Sequence, residues 1–472
     1  MLWLARGLFA TCVWCVCSSI ALAQIARDGL LDASYGVDGI ATIVAPQGAS
    51  YSLQRLRGAV LQPDGKLILL GGVRAAGGSM IKPLLVRLTT SGVLDPDFGV
   101  GGMAVIDLPS LTLSGNVIAH KAVVLSDGRI VVLGARFTIP EALFDYCTAV
   151  FALSAGGALL PTYGPAPGPG CVGFDQAAIQ AITEPIGALV LLDQDRLLVS
   201  GFSAATSAPL NLAARLTAEG APDPSFGPGG LRRFGGAVFA GGGRKPLFLR
   251  AGDFVFAGSA SIAGRGVFKA TLDLVPAMDF GNEGAASVIW ATPMSVLELF
   301  SFDLDPVGRT IIAGFARDPF PFGEVICNFC VTRFTSDGAV DASFNPSGAL
   351  PGSNLINIPG NNSLVVRVLA RRDARIVLAG YADHGNGNDT DLLLASLGVD
   401  GQTDTRFGDS TTPGFRQIDL GPASTDTRDF TGDAVLQSDG KILVAATSIQ
   451  SGNFAYAAVR LFDDAVFAAG FE

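Results

Sequence analysis

Seven times along this chain an apolar residue, Asp, a spacer, an aromatic residue and Gly recur, most fully as Leu31-Asp32-Ala33-Ser34-Tyr35-Gly36 and Leu94-Asp95-Pro96-Asp97-Phe98-Gly99. The aromatic falls at Tyr35, Phe98, Tyr163, Phe226, Phe280, Phe344 and Phe407, with gaps of 63, 65, 63, 54, 64 and 63 residues. A period of that length holds one four-stranded β unit, and units too small to bury their own apolar faces must stack on neighbours. The repeat thus constrains the architecture before any chemistry is considered.

About 30 residues after each aromatic comes a second phrase. Its best copies are Leu61-Gln62-Pro63-Asp64-Gly65-Lys66-Leu67, Leu125-Ser126-Asp127-Gly128-Arg129-Ile130 and Leu436-Gln437-Ser438-Asp439-Gly440-Lys441-Ile442. Asp-Gly between two β-prone runs predicts a hairpin with a tight primed turn, since Gly takes positive φ without a Cβ clash. Weaker copies lie at Asp195-Arg196, Gly252-Asp253, Gly308-Arg309 and Asp373-Ala374-Arg375. A third apolar run precedes the next aromatic phrase, as in Leu84 to Thr89 and Ala457 to Phe462, and a fourth follows it, as in Met103 to Leu108.

Four short strands in each of seven units predict an all-β fold, a seven-bladed β-propeller of four-stranded antiparallel blades spanning residues 24–462. A parallel β-helix has much shorter coils, and a helical solenoid needs a 3.6-residue periodicity that these Gly-punctuated runs lack. The strand at Gly39 to Val44 could either begin the first blade or complete the last. Together, the phrases Leu-Asp-x-Ser-Phe-Gly, Gln-x-Asp-Gly-Lys-Ile and Val-x-Arg-Leu-x-x-x-Gly-x-Leu-Asp resemble the delta-60 repeat of bacterial secreted and surface proteins. The resemblance spans about residues 29 to 462 and implies a propeller and an export route, but no particular activity.

Export is also what the N-terminus suggests. Arg6, an apolar stretch from Gly7 to Leu22 and the small-residue pattern Ala21-Leu22-Ala23 read as a signal peptide over residues 1–23, cut before Gln24. Cys12, Cys15 and Cys17 would leave with it. The mature chain would carry 31 basic against 42 acidic residues, a formal charge of −11, which disfavours nucleic acid as a partner. Mean hydropathy is high at +0.44, yet the apolar runs are broken by Gly, Asp or Arg and none later in the chain is long enough for a spanning helix. Runs that are apolar throughout fit strands buried on both faces. Residues 463–472 form a short tail.

The candidate site residues are structural. Asp32, Asp95, Asp223, Asp279, Asp341 and Asp404 are read as the Asp of the first phrase, with Pro161 in the odd copy, each capping a turn through backbone N–H groups. Arg87, Arg215 and Arg333 stand eight residues before Asp95, Asp223 and Asp341, and Arg460 occupies the same position; the spacing predicts Arg-carboxylate pins between strands or blades. Cys147, Cys171, Cys327 and Cys330 are disulfide candidates in an oxidising compartment. The loop Asp383 to Asp391 is rich in oxygen donors but lacks the spacing of a known calcium loop and reads as a polar hairpin connection. Ser126-Asp127-Gly128-Arg129 resembles the Asp-box turn of sialidase propellers, with aliphatic residues in place of the expected aromatic. No nucleophile elbow, zinc helix or P-loop occurs, so no catalytic, cofactor or metal residue is assigned. The sequence reads as a monomeric, exported scaffold or binding module for an unknown protein or glycan, secreted or periplasmic. The alternative is a polysaccharide hydrolase or lyase with its site at the ring mouth; a polar, carboxylate-lined central pocket would favour that enzyme, and an apolar plug the scaffold.

Overall fold

The structure is a computed structural model describing residues 28–463 apart from 46–50, 76, 79, 109–115, 138–146, 166–168, 173–187, 204–209, 234–246, 261–264, 289, 291–295, 318–324, 359–362, 385–388, 422–426 and 451. The expected signal peptide and most of the tail lie outside the described residues. Within them the fold is all-β, with two short 3-10 turns and no α-helix.

Each Asp-Gly phrase joins two antiparallel strands. Gly58–Leu61 pairs with Leu67–Ala75, Asn116–Val124 with Ile130–Phe137, and Thr427–Leu436 with Ile442–Gln450. The turn differs from the primed one expected. Gly65 N–H donates to Gln62 C=O and Gln62 N–H to Lys66 C=O, which makes a type I turn followed by Gly65 at φ 82°. Pro63, with φ fixed near −65°, suits the first corner of that turn. The same hydrogen bonds form around Ser126 and Ser438, so the three-residue loop closed by the left-handed Gly sets the turn and not the proline alone.

Four sheets have four strands each, beginning at Asn116–Val124, Leu189–Leu191, Leu247–Ala251 and Val296–Leu304. In a fifth sheet, Tyr51–Leu53 and Gly58–Leu61 both pair with Leu67–Ala75, followed by Ile81–Leu88 and Met103–Val105. The last sheet has eight strands, but its halves, one starting at Leu364–Ala370 and the other at Thr427–Leu436, meet through a single bridge between Thr390 and Arg428. Ile40–Ile43 pairs with Asn453–Leu461. Of the two placements open in the sequence, the N-terminal strand therefore completes the final unit.

The leading strands touch in a closed circuit: Gly58–Leu61, Asn116–Val124, Leu189–Leu191, Leu247–Ala251, Val296–Leu304, Leu364–Ala370, Thr427–Leu436 and back to Gly58–Leu61. Cores lie between neighbouring units, not within them. Leu67, Leu69 and Val86 pack on Leu443 and Ala458 of the unit behind, while Ile68, Leu70 and Leu85 pack on Ile130, Val132 and Phe151 of the unit ahead. This accounts for strands that are apolar at every position, because successive side chains face opposite neighbours and both are dry.

Candidate functional site

The circuit encloses a cavity of about 620 Å³ walled by every leading strand. β-bulges shape its wall. The register slips between Ala119 and Lys121, Leu299 and Ser301, Val365 and Arg367, and Thr431 and Asp433, and in the fifth sheet the segment 54–57 interrupts the edge strand. A bulge leaves an extra residue outside the ladder and re-aims its side chain; here His120, Phe300, Val366 and Gly432, with Arg55 and Arg57, are lining residues.

The lining is cationic. Arg55, Arg57, Lys121, Arg250 and Arg367 stand against one lining carboxylate, Asp433, with His120 beside them. Asp433 is buried and tied from several sides: Lys121 Nζ is 3.1 Å away, Arg367 Nε 3.7 Å, and Ala434 N–H donates to it at 3.0 Å. Burial works to raise its pKa, but Lys121 and then Arg367 outweigh it and hold the carboxyl below the usual range. Arg250 bridges Asp193 at 2.7 Å. The Arg55 guanidinium lies 4.2 Å over the Phe430 ring, which in turn meets Tyr381 edge to face.

The repeat Asp and Arg residues singled out from the sequence lie elsewhere, at the junctions between units, and neither they nor the cysteines line the cavity. Arg87 donates to Asp95 at 2.7 Å, Arg215 to Asp223 at 2.7 Å, Arg333 to Asp341 at 2.8 Å and Arg460 to Asp32 at 2.8 Å. Each guanidinium also reaches the next unit, at Ala155 C=O, Asp273, Val399 C=O and Thr90 C=O respectively. It covers the phrase aromatic as well: Phe98, Phe226, Phe344 or Tyr35, at 4.5 to 4.7 Å. The other Asp oxygen accepts from the backbone two residues on, as in Asp32 from Ser34 and Asp223 from Ser225. Burial pushes the Asp32 carboxyl up, but the Ser34 hydroxyl, then Lys441 at 3.1 Å, the Ser34 N–H and Arg460 outweigh it and hold the pKa at about 2.

Two sequence assignments are corrected. The turn position in the fifth copy is Ala277, whose N–H bonds Lys269 C=O just as Asp95 N–H bonds Arg87 C=O, so Asp279 lies two residues off. In the third copy it is Leu160, bonded to Ala152 C=O, and not Pro161. In both copies the Arg is lost along with the Asp, leaving Lys269 and Ala152. Lys269 places its ammonium over the Phe254 ring in place of a carboxylate, and in the sixth copy, where Ser396 stands at the Arg position, Asp404 takes its cation from Arg375.

Both disulfides are formed. Cys147–Cys171 ties the third strand of its sheet to the fourth, and Cys327–Cys330 lies inside the strand Val325–Phe334, where its register against Thr310–Arg317 shifts. Trp290 is buried and donates to Thr332 Oγ1, so it offers no sugar-stacking face.

Where the sixth unit meets the strand Thr427–Leu436 of the last, one oxygen each of Asp391, Asp419 and Asp429 lies within 4.8 Å of the others, and Asp391 likewise groups with His384 and Asp389. Oxygen donors of this kind suit a hard cation. Burial first, then Asp419 and Asp391, push Asp429 up to about 6 from 3.8. Its folded pKa exceeds the unfolded one, so the destabilisation is absent below about pH 4 and complete above about pH 6. Asp429→Asn in chelator-treated protein is therefore expected to stabilise by about 2 kcal/mol at pH 7.5 and by almost nothing at pH 4. Urea melts at both pH values check this; an equal effect at both would contradict it.

Residues 62–98 and 437–464 match a family described as a beta-propeller domain of unknown function, DUF5122. The fold and this match define a β-propeller. No curated protein matches the sequence. Among solved structures, a protein of unknown function from Dyadobacter fermentans DSM 18053 is 11% identical with a TM-score of 0.44, covering 90% of this chain and 98% of its own. The polysaccharide lyase Uly1 is 10% identical with a TM-score of 0.47, covering 86% and 90%. A mutant Trypanosoma rangeli sialidase displaying trans-sialidase activity is 12% identical with a TM-score of 0.35, covering 87% and 54%.

Proposed function

We propose that this chain is an exported binding module, a monomeric seven-bladed propeller of the delta-60 repeat type that takes a ligand into its central cavity without catalysing a reaction. Dividing the eight-stranded sheet at its single bridge, and taking Tyr51–Leu53 and Gly58–Leu61 as one interrupted edge strand, supports a count of seven four-stranded units around the circuit. The signal-peptide pattern supports export, with Gln24 as the mature N-terminus.

The observation that carries the reading is the cavity itself, a chamber of ligand size lined by both charged and apolar side chains, open at its centre and with one carboxylate among the described residues of its lining. Glycoside hydrolysis ordinarily needs two carboxyl groups flanking the bond. The one lining carboxylate among the described residues, Asp433, is already engaged by Lys121 and backbone N–H groups.

The test is a glycan array and protein pull-down with the secreted chain, repeated with Val366→Trp to fill the cavity and accompanied by assays for released reducing ends and unsaturated products. Retention of a ligand that the Trp variant loses, with no product formed, is expected. Turnover by the open chain, or capture unaffected by the Trp, would overturn the proposal.

A further inference from the structure

We infer that the cavity is an oxyanion site for a small molecule carrying at least two acid groups; this rests on the binding-module reading and names its ligand chemistry. The whole chain has a formal charge of −10, so a chamber whose lining, among the described residues, carries five cations and one carboxylate runs against the charge of the chain. Counting also Asp193, which bridges Arg250 from outside the lining, and Asp303, which lies near Arg367, the cations still outnumber the acids five to three.

The positions of the cations set the number of groups. Lys121 and Arg367 come from different strands and converge on Asp433, with Arg55 and Arg57 on the unit between those of Asp433 and Lys121. Arg250 stands on Leu247–Ala251, across the circuit from them. One anionic group on the ligand would face the Arg57, Lys121 and Arg367 side and a second would face Arg250. Four of the five cations are Arg, whose planar fork matches carboxylate, sulfate and phosphate oxygens two at a time. A chamber of about 620 Å³ holds a molecule of drug size, not a polymer. Asp433 has a defined part in this arrangement: it occupies Lys121 and Arg367 and so competes with the ligand's own anion.

Calorimetry on the secreted chain with tri-galacturonate, citrate, inositol hexakisphosphate and maltotriose tests the inference and separates an acidic sugar from a free polyacid or a phosphate ester as the source of the oxyanions. At least one anionic probe is expected to bind more tightly than maltotriose, and more weakly as salt is raised. Arg57→Gln or Arg250→Gln should weaken that probe about tenfold, the size of one charge-assisted contact. Asp433→Asn should strengthen it, a gain that a purely structural Asp433 could not produce. If Asp433→Asn does not fold, the two Arg variants and the salt series decide the matter.

Binding of maltotriose alone, lost in Val366→Trp, would overturn the charge inference and leave the binding module standing. Failure of every probe at millimolar concentration would overturn the inference while leaving the array and pull-down to decide the module. Anion binding indifferent to all three charge variants would overturn it as well.

Discussion

Replacing Arg371 by Met is expected to cost about 3–5 kcal/mol of stability, the range for removing one member of a buried ion cluster. Arg371 is fully buried; its Nη1 donates to Asp28 at 2.9 Å and its Nε to Asp463 at 2.9 Å. Arg375 joins the cluster, donating to Asp28 at 2.6 Å and to Asp404 at 2.7 Å. Two residues from opposite ends of the described chain are thus fastened to one turn of the sixth unit, beside the place where Ile40–Ile43 closes the last sheet. Without the guanidinium, Asp28 keeps Arg375 but Asp463 loses its principal partner and stays buried. Urea unfolding of Arg371→Met checks the prediction, and partial recovery on adding Asp463→Asn would locate the cost in the orphaned charge. A loss below about 1 kcal/mol would mean that the cluster is a solvated surface pair.

Phe98→Ala is expected to lose a further amount of the same order, about 3–5 kcal/mol, from transfer and cavity terms together. The ring is fully buried between two units, beneath the Arg87 guanidinium and against Gly157 of the next unit. A Cβ on Gly157 would lie 2.9 Å from the Phe98 ring, and Gly157 sits at φ 87°. Gly157→Ala should therefore destabilise as well, and Phe98→Ala should relieve the part of its cost that is clash while leaving the backbone strain. The same contact recurs as Tyr35 on Gly92, Tyr163 on Gly220, Phe280 on Gly338, Phe344 on Gly401 and Phe407 on Gly29. The last of these carries the series back to the N-terminal end, so six of the seven phrase aromatics act as wedges of this kind, while Phe226 packs in a cluster with Leu274, which takes the left-handed corner itself at φ 59°. If Phe98→Ala melted like the wild type, the junctions would draw their stability from elsewhere.

These junctions were legible in the sequence because their chemistry allows few residues. A turn with a left-handed corner favours Gly, and in four copies the buried carboxylate takes its cation at a fixed offset of sequence or, for Asp32, from Arg460 across the closure. A ring wedged under Gly has little freedom to vary. Where the sequence erred, at Asp279 and Pro161, the phrase had decayed and the nearest conspicuous residue was not the one in register. The cavity was not legible, since its wall depends on bulges that single-strand patterns do not announce. A signal did exist. The pairs Arg57-Gly58, His120-Lys121, Phe300-Ser301, Val366-Arg367 and Gly432-Asp433 stand seven and six residues ahead of the turn positions Asp64, Asp127, Val307, Asp373 and Asp439. Stacking the copies on the turn would have aligned the lining residues, but only a known bulge shows that they face inward.

Closure of the ring is tested most directly by a crystal structure of residues 24–472. The expected result is seven four-stranded sheets about one axis, with Ile40–Ile43 as the outer strand beside Asn453–Leu461 and Arg371 between Asp28 and Asp463. An open stack, or residues 40–43 paired instead within the sheet that contains Leu67–Ala75, would contradict the account.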